Sequence, residues 1–385
     1  MTATLRSAAT LTAVRAADRA ADRTADRAGA PAVGPAARGV LPPAGPAWYG
    51  AVMGTGILAT LTQTLAPGAW TARLWLVLGW ALLVGLTAAF ARRCGRRPGT
   101  LAGSLRPDQL PLWGMVAMGL LSVGAATATV LPPWWPAATG AAVLADGLLW
   151  VAGTALGLGT AIGFAAVLVR STPGPPSTVW GLAVVPPMVS ATVGAGLVRH
   201  LPPALQFPLL LVLAACFVLS LTLGAVIFAL AYHHHWRVAR LPIPASTTAW
   251  IPLGVVGQST AAAQAMAVAA APLVPAPVAG ILQTVANDYG LLMLAGGVPL
   301  AGWAVAMTIR GFRARMPFVP GWWSLTFPIG TLALGSHLLG VGTGITAYLV
   351  AGLACWVTLC GTWLLCAVAS IRALLGTRTM TRSTS

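Results

Sequence analysis

The stretch WYGAVMGTGILATL, from Trp48 to Leu61, decides the fold class of this chain. It is apolar enough to lie in a bilayer, yet its centre reads Gly54-Thr55-Gly56, and each glycine weakens a helix by roughly 1 kcal/mol. Irregular backbone at membrane depth is tolerated where it is buried in protein or lines a cavity. The stretch therefore predicts a broken helix that borders a path through a membrane.

Similar breaks recur in alternate apolar segments, and polar side chains accompany some of them. A polar side chain in a span can line a path or simply bond to a neighbouring helix, and for the stretch from Gly257 to Thr260 we give both roles equal weight. The candidates for lining the path are Gly54, Thr55, Gly56, Pro186, Pro187, Pro252, Gly257, Gln258, Ser259, Pro328, Gly330 and His337.

The composition indicates a multi-pass membrane protein. Of the 385 residues, 57% are hydrophobic and only 7% are charged, whereas soluble domains carry about 25% charged residues. The net charge of +16 is typical of nucleic-acid binding proteins, but the apolar content argues against that class. We therefore expect the lipid bilayer, and no nucleic acid, as the surroundings of this chain.

The chain divides into a transmembrane domain and two tails. Residues 1–44 are rich in Ala and Arg and predict a disordered cytoplasmic tail rather than an amphipathic helix. Residues 45–374 hold the transmembrane domain, and residues 375–385 form a short second tail. We predict ten spans of about 20 residues, the length that crosses a bilayer. They are 47–65, 70–91, 110–131, 141–169, 179–199, 205–232, 248–271, 287–309, 322–341 and 343–372.

The arginines predict the orientation of the spans. All but two of the 22 basic residues lie in the tails or in the loops that follow even-numbered spans, and only Arg73 and Arg199 lie at the other end. Because cytoplasmic loops are enriched in Lys and Arg, we expect both termini to be cytoplasmic and the membrane to be the plasma membrane. The breaks lie in odd-numbered spans, which predicts five helical hairpins with an inner ring of odd helices around a central pore.

Catalytic and metal-binding patterns are not evident, so we expect no enzyme, no cofactor and no metal. None of the six aspartates lies at the centre of a predicted span, which leaves no membrane-embedded carboxylate and favours an anion or a neutral molecule as the permeant species. The run His233-His234-His235 suits anchoring at the membrane interface better than metal binding. His337 suits anion binding, pH sensing or simple packing.

Four motifs resemble the tellurite-resistance/dicarboxylate transporter family, also called the slow anion channel superfamily. They are WYGAVMGTGIL, VVPPMVSATVGA, WIPLGVVGQSTAA and GWWSLTFPIGTLALG, in this order within residues 47–372. The family includes tellurite-resistance proteins, malate permeases, sulfite efflux pumps and plant slow anion channels.

The resemblance implies ten helices around a pore, with three such subunits in a homotrimer. It also implies that Phe327, which matches the pore-occluding Phe of the channel members, is a gate; spacing alone would favour ordinary packing. The expected function is transport of small anions, with a C4-dicarboxylate such as malate first and a sulfite- or tellurite-type oxyanion as the alternative. The alternative from a different functional class is a membrane-embedded enzyme or sensor.

Overall fold

A computed structural model describes residues 41–171 and 173–382 of the chain, with side chains up to residue 375. Most of the predicted N-terminal tail, including its Asp-Arg repeats, lies outside the described residues. The described part of the chain is helical and contains no strand.

Ten helical units follow one another, the fifth of them in two pieces. They are α1 (Tyr49–Leu65), α2 (Trp70–Arg96), α3 (Trp113–Trp134), α4 (Thr139–Arg170), α5a (Gly181–Val184), α5b (Pro186–Leu197), α6 (Pro203–His233), α7 (Ile251–Ala270), α8 (Ala276–Arg313), α9 (Phe327–Thr343) and α10 (Thr346–Arg382). A one-turn helix, Thr100–Ser104, lies between α2 and α3.

The helices confirm the multi-pass membrane class. Within the described residues, eight helices are long and apolar enough to cross a membrane, and the bent pair around α5a and α5b makes a ninth candidate. Helix α1 has 17 residues, at the short end of the range that spans a bilayer, about 17–25. The count of ten remains a prediction.

Burial separates the helices into the two predicted sets. In α3, α7 and α9, 67% of the most apolar window is buried, whereas the values for α2, α8 and α10 are 17%, 11% and 17%. Each odd helix packs against the even helix that follows it, and α1, α3, α5b, α7 and α9 contact one another in a closed ring. The odd helices are therefore the inner ring of five hairpins.

The structure corrects the interpretation of Gly54 and Gly56. Helix α1 continues unbroken through both residues. A β-carbon at Gly54 would collide with the side chain of Thr326, and one at Gly56 would lie 2.8 Å from the carbonyl carbon of Ser122. The glycines are there because α1 approaches its neighbours closely, and they do not break the helix.

Of the predicted proline breaks, one bends a helical unit and the other two mark helix starts. The fifth unit bends by 40° at the junction before Pro186, and α9 begins at Phe327 after a 3-10 segment, Pro320–Leu325. Pro252 lies in the first turn of α7, after another 3-10 segment, Ile243–Trp250. A proline is well suited to a first turn because its missing N–H has no intrahelical partner there. Pro252 therefore starts a helix and does not interrupt one.

Two predicted boundaries differ from the structure. Helix α8 begins at Ala276, well before the predicted start at residue 287, because Pro275 caps it and Pro277 fits its first turn. Asn287 lies inside α8 and accepts a 3.0 Å hydrogen bond from Gln264 of α7. The last helix continues to Arg382, so the predicted boundary after residue 374 falls within it.

Candidate permeation site

The inner ring encloses a cavity of about 610 Å³ toward the C-terminal ends of the odd helices. Its walls come from α1, α3, α5b, α7 and α9, and α4 contributes its first turns. The polar side chains on these walls are Thr60, Ser122, Thr129, Thr139, Asp146, Thr192, Arg199, His200 and Gln258.

A second, smaller cavity of about 90 Å³ lies toward the N-terminal ends of the same helices. Its walls are mostly apolar and include Met53, Met115 and Met118. The first turn of α7 reaches this cavity through Ile251 and Gly254.

Phe327 lines both cavities and is 3% exposed. It is the first residue of α9, and Pro328 beside it lines the smaller cavity only. The preceding residue, Thr326, donates a 2.7 Å hydrogen bond from its hydroxyl to the carbonyl of Trp323. Phe327 therefore borders both cavities, and it does so from a helix start that this hydrogen bond helps to hold in place.

Two close contacts with α1 fix the start of α9. Gly54 faces Thr326, and a β-carbon at Gly330 would lie 2.8 Å from Cγ2 of Ile57. Both glycines allow α1 and α9 to approach one another on either side of Phe327. The motif around Gly54 and the Phe-Pro motif are therefore packed directly against each other in the fold.

Gln258 is the predicted polar residue that reaches the larger cavity. Its amide nitrogen donates a 2.7 Å hydrogen bond to the hydroxyl of Thr192, which itself donates to the carbonyl of Met188. The amide oxygen is buried without a hydrogen-bond partner among the described residues. If the amide turns by 180°, its NH₂ group takes the oxygen's place, so Gln258 can offer either an acceptor or donors.

Asp146 corrects the expectation that the membrane contains no carboxylate. It lies two turns into α4, is 3% exposed and lines the larger cavity. Its Oδ1 atom packs against Gly124, where a β-carbon would lie 2.6 Å away, and has no hydrogen-bond partner among the described residues. The sequence prediction missed it because position 146 lies near the predicted start of the fourth span.

Arg199 and His200 lie at the exposed mouth of the larger cavity. The guanidinium Nε donates a 3.1 Å hydrogen bond to Nε2 of His200. The one sequence signal for this placement was that Arg199 falls outside the arginine-rich end of the spans.

Several predicted lining residues instead hold helices together. Thr55 donates to the carbonyl of Ala51 and accepts a 2.9 Å hydrogen bond from Trp363, which joins α1 to α10. Ser259 donates to Val256 in its own helix. A β-carbon at Gly257 would collide with the backbone of α9, so this glycine serves the contact between α7 and α9.

The remaining candidates also lie away from the two cavity walls. Pro186 and Pro187 are buried in the first turn of α5b, where they set the bend. His337 is half-buried on α9 and faces α10, because a β-carbon at Gly352 would lie 3.1 Å from its backbone nitrogen. Neither anion binding nor pH sensing follows from that position.

The fold and the cavities define a multi-pass membrane protein with a ring of helices around two cavities, and Phe327 lines both of them. A family model described as voltage-dependent anion channel matches residues 44–371. The chain therefore belongs to this family of anion channels and transporters, which confirms the resemblance seen in the four motifs.

Curated relatives are fungal sulfite efflux pumps. The sulfite efflux pump SSU1 of Arthroderma benhamiae is 26% identical over 311 residues, covering 77% of this chain and 81% of that protein. The pumps of Arthroderma otae and Trichophyton rubrum are 26% and 25% identical, each with the same coverage.

Proposed function

We propose that this protein conducts small anions across the plasma membrane along the path that joins its two cavities, with Phe327 as the occluding gate. The observation that carries the proposal is that this one buried side chain lines both cavities. An aromatic ring at a narrow point excludes water, and a dewetted constriction blocks ions.

The electrostatics around Phe327 suit an anion. Helices α7 and α9 both begin beside the smaller cavity, each directly after a 3-10 segment, and their dipoles point partial positive charge toward that end. Discontinuous helices of transporters use such ends to hold anionic groups. Arg199 adds a full positive charge at the mouth of the larger cavity.

Among permeant anions, a sulfite-type oxyanion fits better than a C4-dicarboxylate. The relatives are named sulfite efflux pumps. Gln258 and Thr192 on the wall of the larger cavity offer neutral polar groups, an amide and a hydroxyl. A singly charged oxyanion that still carries a proton can both donate to and accept from such groups, whereas a dianion has no fixed cation beside it there.

The wider organisation follows the family resemblance. Three copies of the chain form a homotrimer with one path in each subunit. Both termini are cytoplasmic, so the smaller cavity opens toward the cytoplasm and the larger one toward the outside. Transport, and not catalysis, is the role of the bundle.

Flux assays with purified protein in liposomes test this function. Sulfite, malate and chloride are compared with and without a pH gradient, and empty liposomes are the control. We expect sulfite flux above that of malate. Malate flux above that of sulfite would identify a dicarboxylate, and not an oxyanion, as the preferred permeant anion. The absence of flux for every anion would refute transport.

A further inference from the structure

A pocket of about 460 Å³ lies at the C-terminal ends of the outer helices α6 and α8. This is the arginine-rich end of the spans. The side chains that line it include His235, Trp236, Arg240, Trp303 and Arg310. The proposed permeation path does not use any of them.

The histidine run ends in a local irregularity that forms this pocket. Residues His234–Val238 make a π-helical turn at the end of α6, and such single turns often accompany binding sites. The turn brings the ring of His235 inward, where its Nε2 atom is buried without a hydrogen-bond partner among the described residues. The hydroxyl of Tyr232, one turn earlier, is also buried and also has no hydrogen-bond partner among the described residues.

The charges of the pocket are uncompensated. Arg310 donates from Nη1 to the carbonyl of Leu241 at 2.8 Å and to Sδ of Met307 at 3.9 Å, which holds the guanidinium while leaving its other N–H donors available. Arg240 is exposed at the rim, and no carboxylate is among the residues that line the pocket. Two guanidinium groups, one of them held in place, with no carboxylate among the lining residues are well suited to a phosphate.

The aromatic and apolar surroundings point to a lipid as the source of that phosphate. Trp236 is 55% exposed, and the ring centroids of Trp236 and Trp303 lie 4.9 Å and 5.3 Å from that of Tyr232. Trp and Tyr concentrate at the headgroup level of membranes. Apolar side chains of both helices next to the pocket face outward, namely Val226, Leu230, Val305 and Ile309.

We propose that this pocket binds the phosphate of an anionic phospholipid headgroup, with the acyl chains along the outward faces of α6 and α8. Basic pockets between spanning helices bind such headgroups on the cytoplasmic side, where anionic lipids concentrate. The proposal is independent of the gate at Phe327.

Native mass spectrometry of the full-length protein in detergent tests the site. Phosphatidylglycerol, zwitterionic phosphatidylcholine and inorganic phosphate are titrated separately. We expect retained phosphatidylglycerol and about fivefold weaker binding for each of Arg240→Gln and Arg310→Gln, because one surface arginine contributes about that factor. Arg237→Gln and Arg313→Gln remove the same charge from exposed neighbours that do not line the pocket, and we expect them to bind normally.

Each other result overturns the assignment. Equal retention of phosphatidylcholine would show that the pocket does not select an anion. Inorganic phosphate that displaces the lipid at equal concentration would assign the site to free phosphate. Equal losses in the Arg237→Gln control would mean that general surface charge holds the lipid. Arg240 makes no side-chain hydrogen bond to any other residue that the structure describes, so Arg240→Gln remains informative if Arg310→Gln fails to fold.

Discussion

Gly54 of α1 lies against Thr326, the residue that precedes Phe327, so closely that a β-carbon at position 54 would collide with the threonine side chain. The two residues are distant in the sequence but adjacent in the inner ring. The position of Phe327 therefore depends on the absence of a side chain at Gly54 on helix α1.

Gly54→Ala is therefore expected to destabilise the protein. Forcing an extra methyl group into a packed interface costs typically about 1–3 kcal/mol, which lowers the thermal unfolding midpoint. Gly85→Ala is the matched control, because Gly85 lies in outer helix α2 with no atom within 4 Å of an added β-carbon. Fluorescence-detected thermal unfolding in detergent compares the two variants. Equal midpoints for Gly54→Ala and the unaltered protein would contradict the close approach.

Phe327→Ala is expected to raise anion flux about tenfold or more, because the ring that separates the two cavities is removed. A tenfold change corresponds to a barrier lowered by about 1.4 kcal/mol. Phe207→Ala is the control, since Phe207 is 54% exposed on α6 and lines neither cavity. Stopped-flow flux in liposomes measures both variants. Unaltered flux in a folded Phe327→Ala protein would mean that the block lies elsewhere.

Gln258→Leu is expected to lower oxyanion flux by about 10-fold or more while the protein stays folded. The change removes the amide that faces the larger cavity, and a hydrogen bond to a charged group contributes about 1.5–3 kcal/mol. Gln109→Leu is the control, because Gln109 lies in a loop and, within the described residues, its side chain donates a hydrogen bond to exposed Asp108 alone. Flux of sulfite and chloride is compared for each variant. A uniform loss in Gln109→Leu as well would point to a defect of folding or insertion.

The alternation of spans that carry Gly, Pro and polar residues with regular apolar spans was enough to predict the inner and outer rings, because burial on all sides and burial on one side leave different residue patterns. The family resemblance, and not the spacing of the Phe-Pro motif, singled out Phe327, which lines both cavities. The role of Gly54 and Gly257 could not be predicted, since a glycine that breaks a helix and one that admits a neighbouring helix look alike in sequence.

Side-chain direction limited the prediction of the cavity walls. Thr55 and Gln258 both lie in polar clusters, but Thr55 faces α10 whereas Gln258 faces the cavity. Neighbouring residues of a helix point in different directions, so the composition of a polar cluster does not tell which of its side chains faces inward. The sequence prediction missed Asp146 for a related reason. Asp146 lies near the start of α4, and whether such a residue lines the cavity depends on how far the cavity extends along the helix.

Asp146→Asn is expected to raise anion flux at alkaline pH, where the buried carboxyl group on the wall of the larger cavity is ionised and repels the permeant ion. For charges about 4 Å apart in water the repulsion is about 1 kcal/mol, or about fivefold in rate. Asp288→Asn is the matched control, since Asp288 is exposed on outer helix α8 and lines neither cavity. The difference should shrink as the salt concentration rises, because mobile ions screen the charge. A lower flux in Asp146→Asn alone would instead assign the carboxylate to the transport step itself, as a group that exchanges a proton or a cation with the anion on the path.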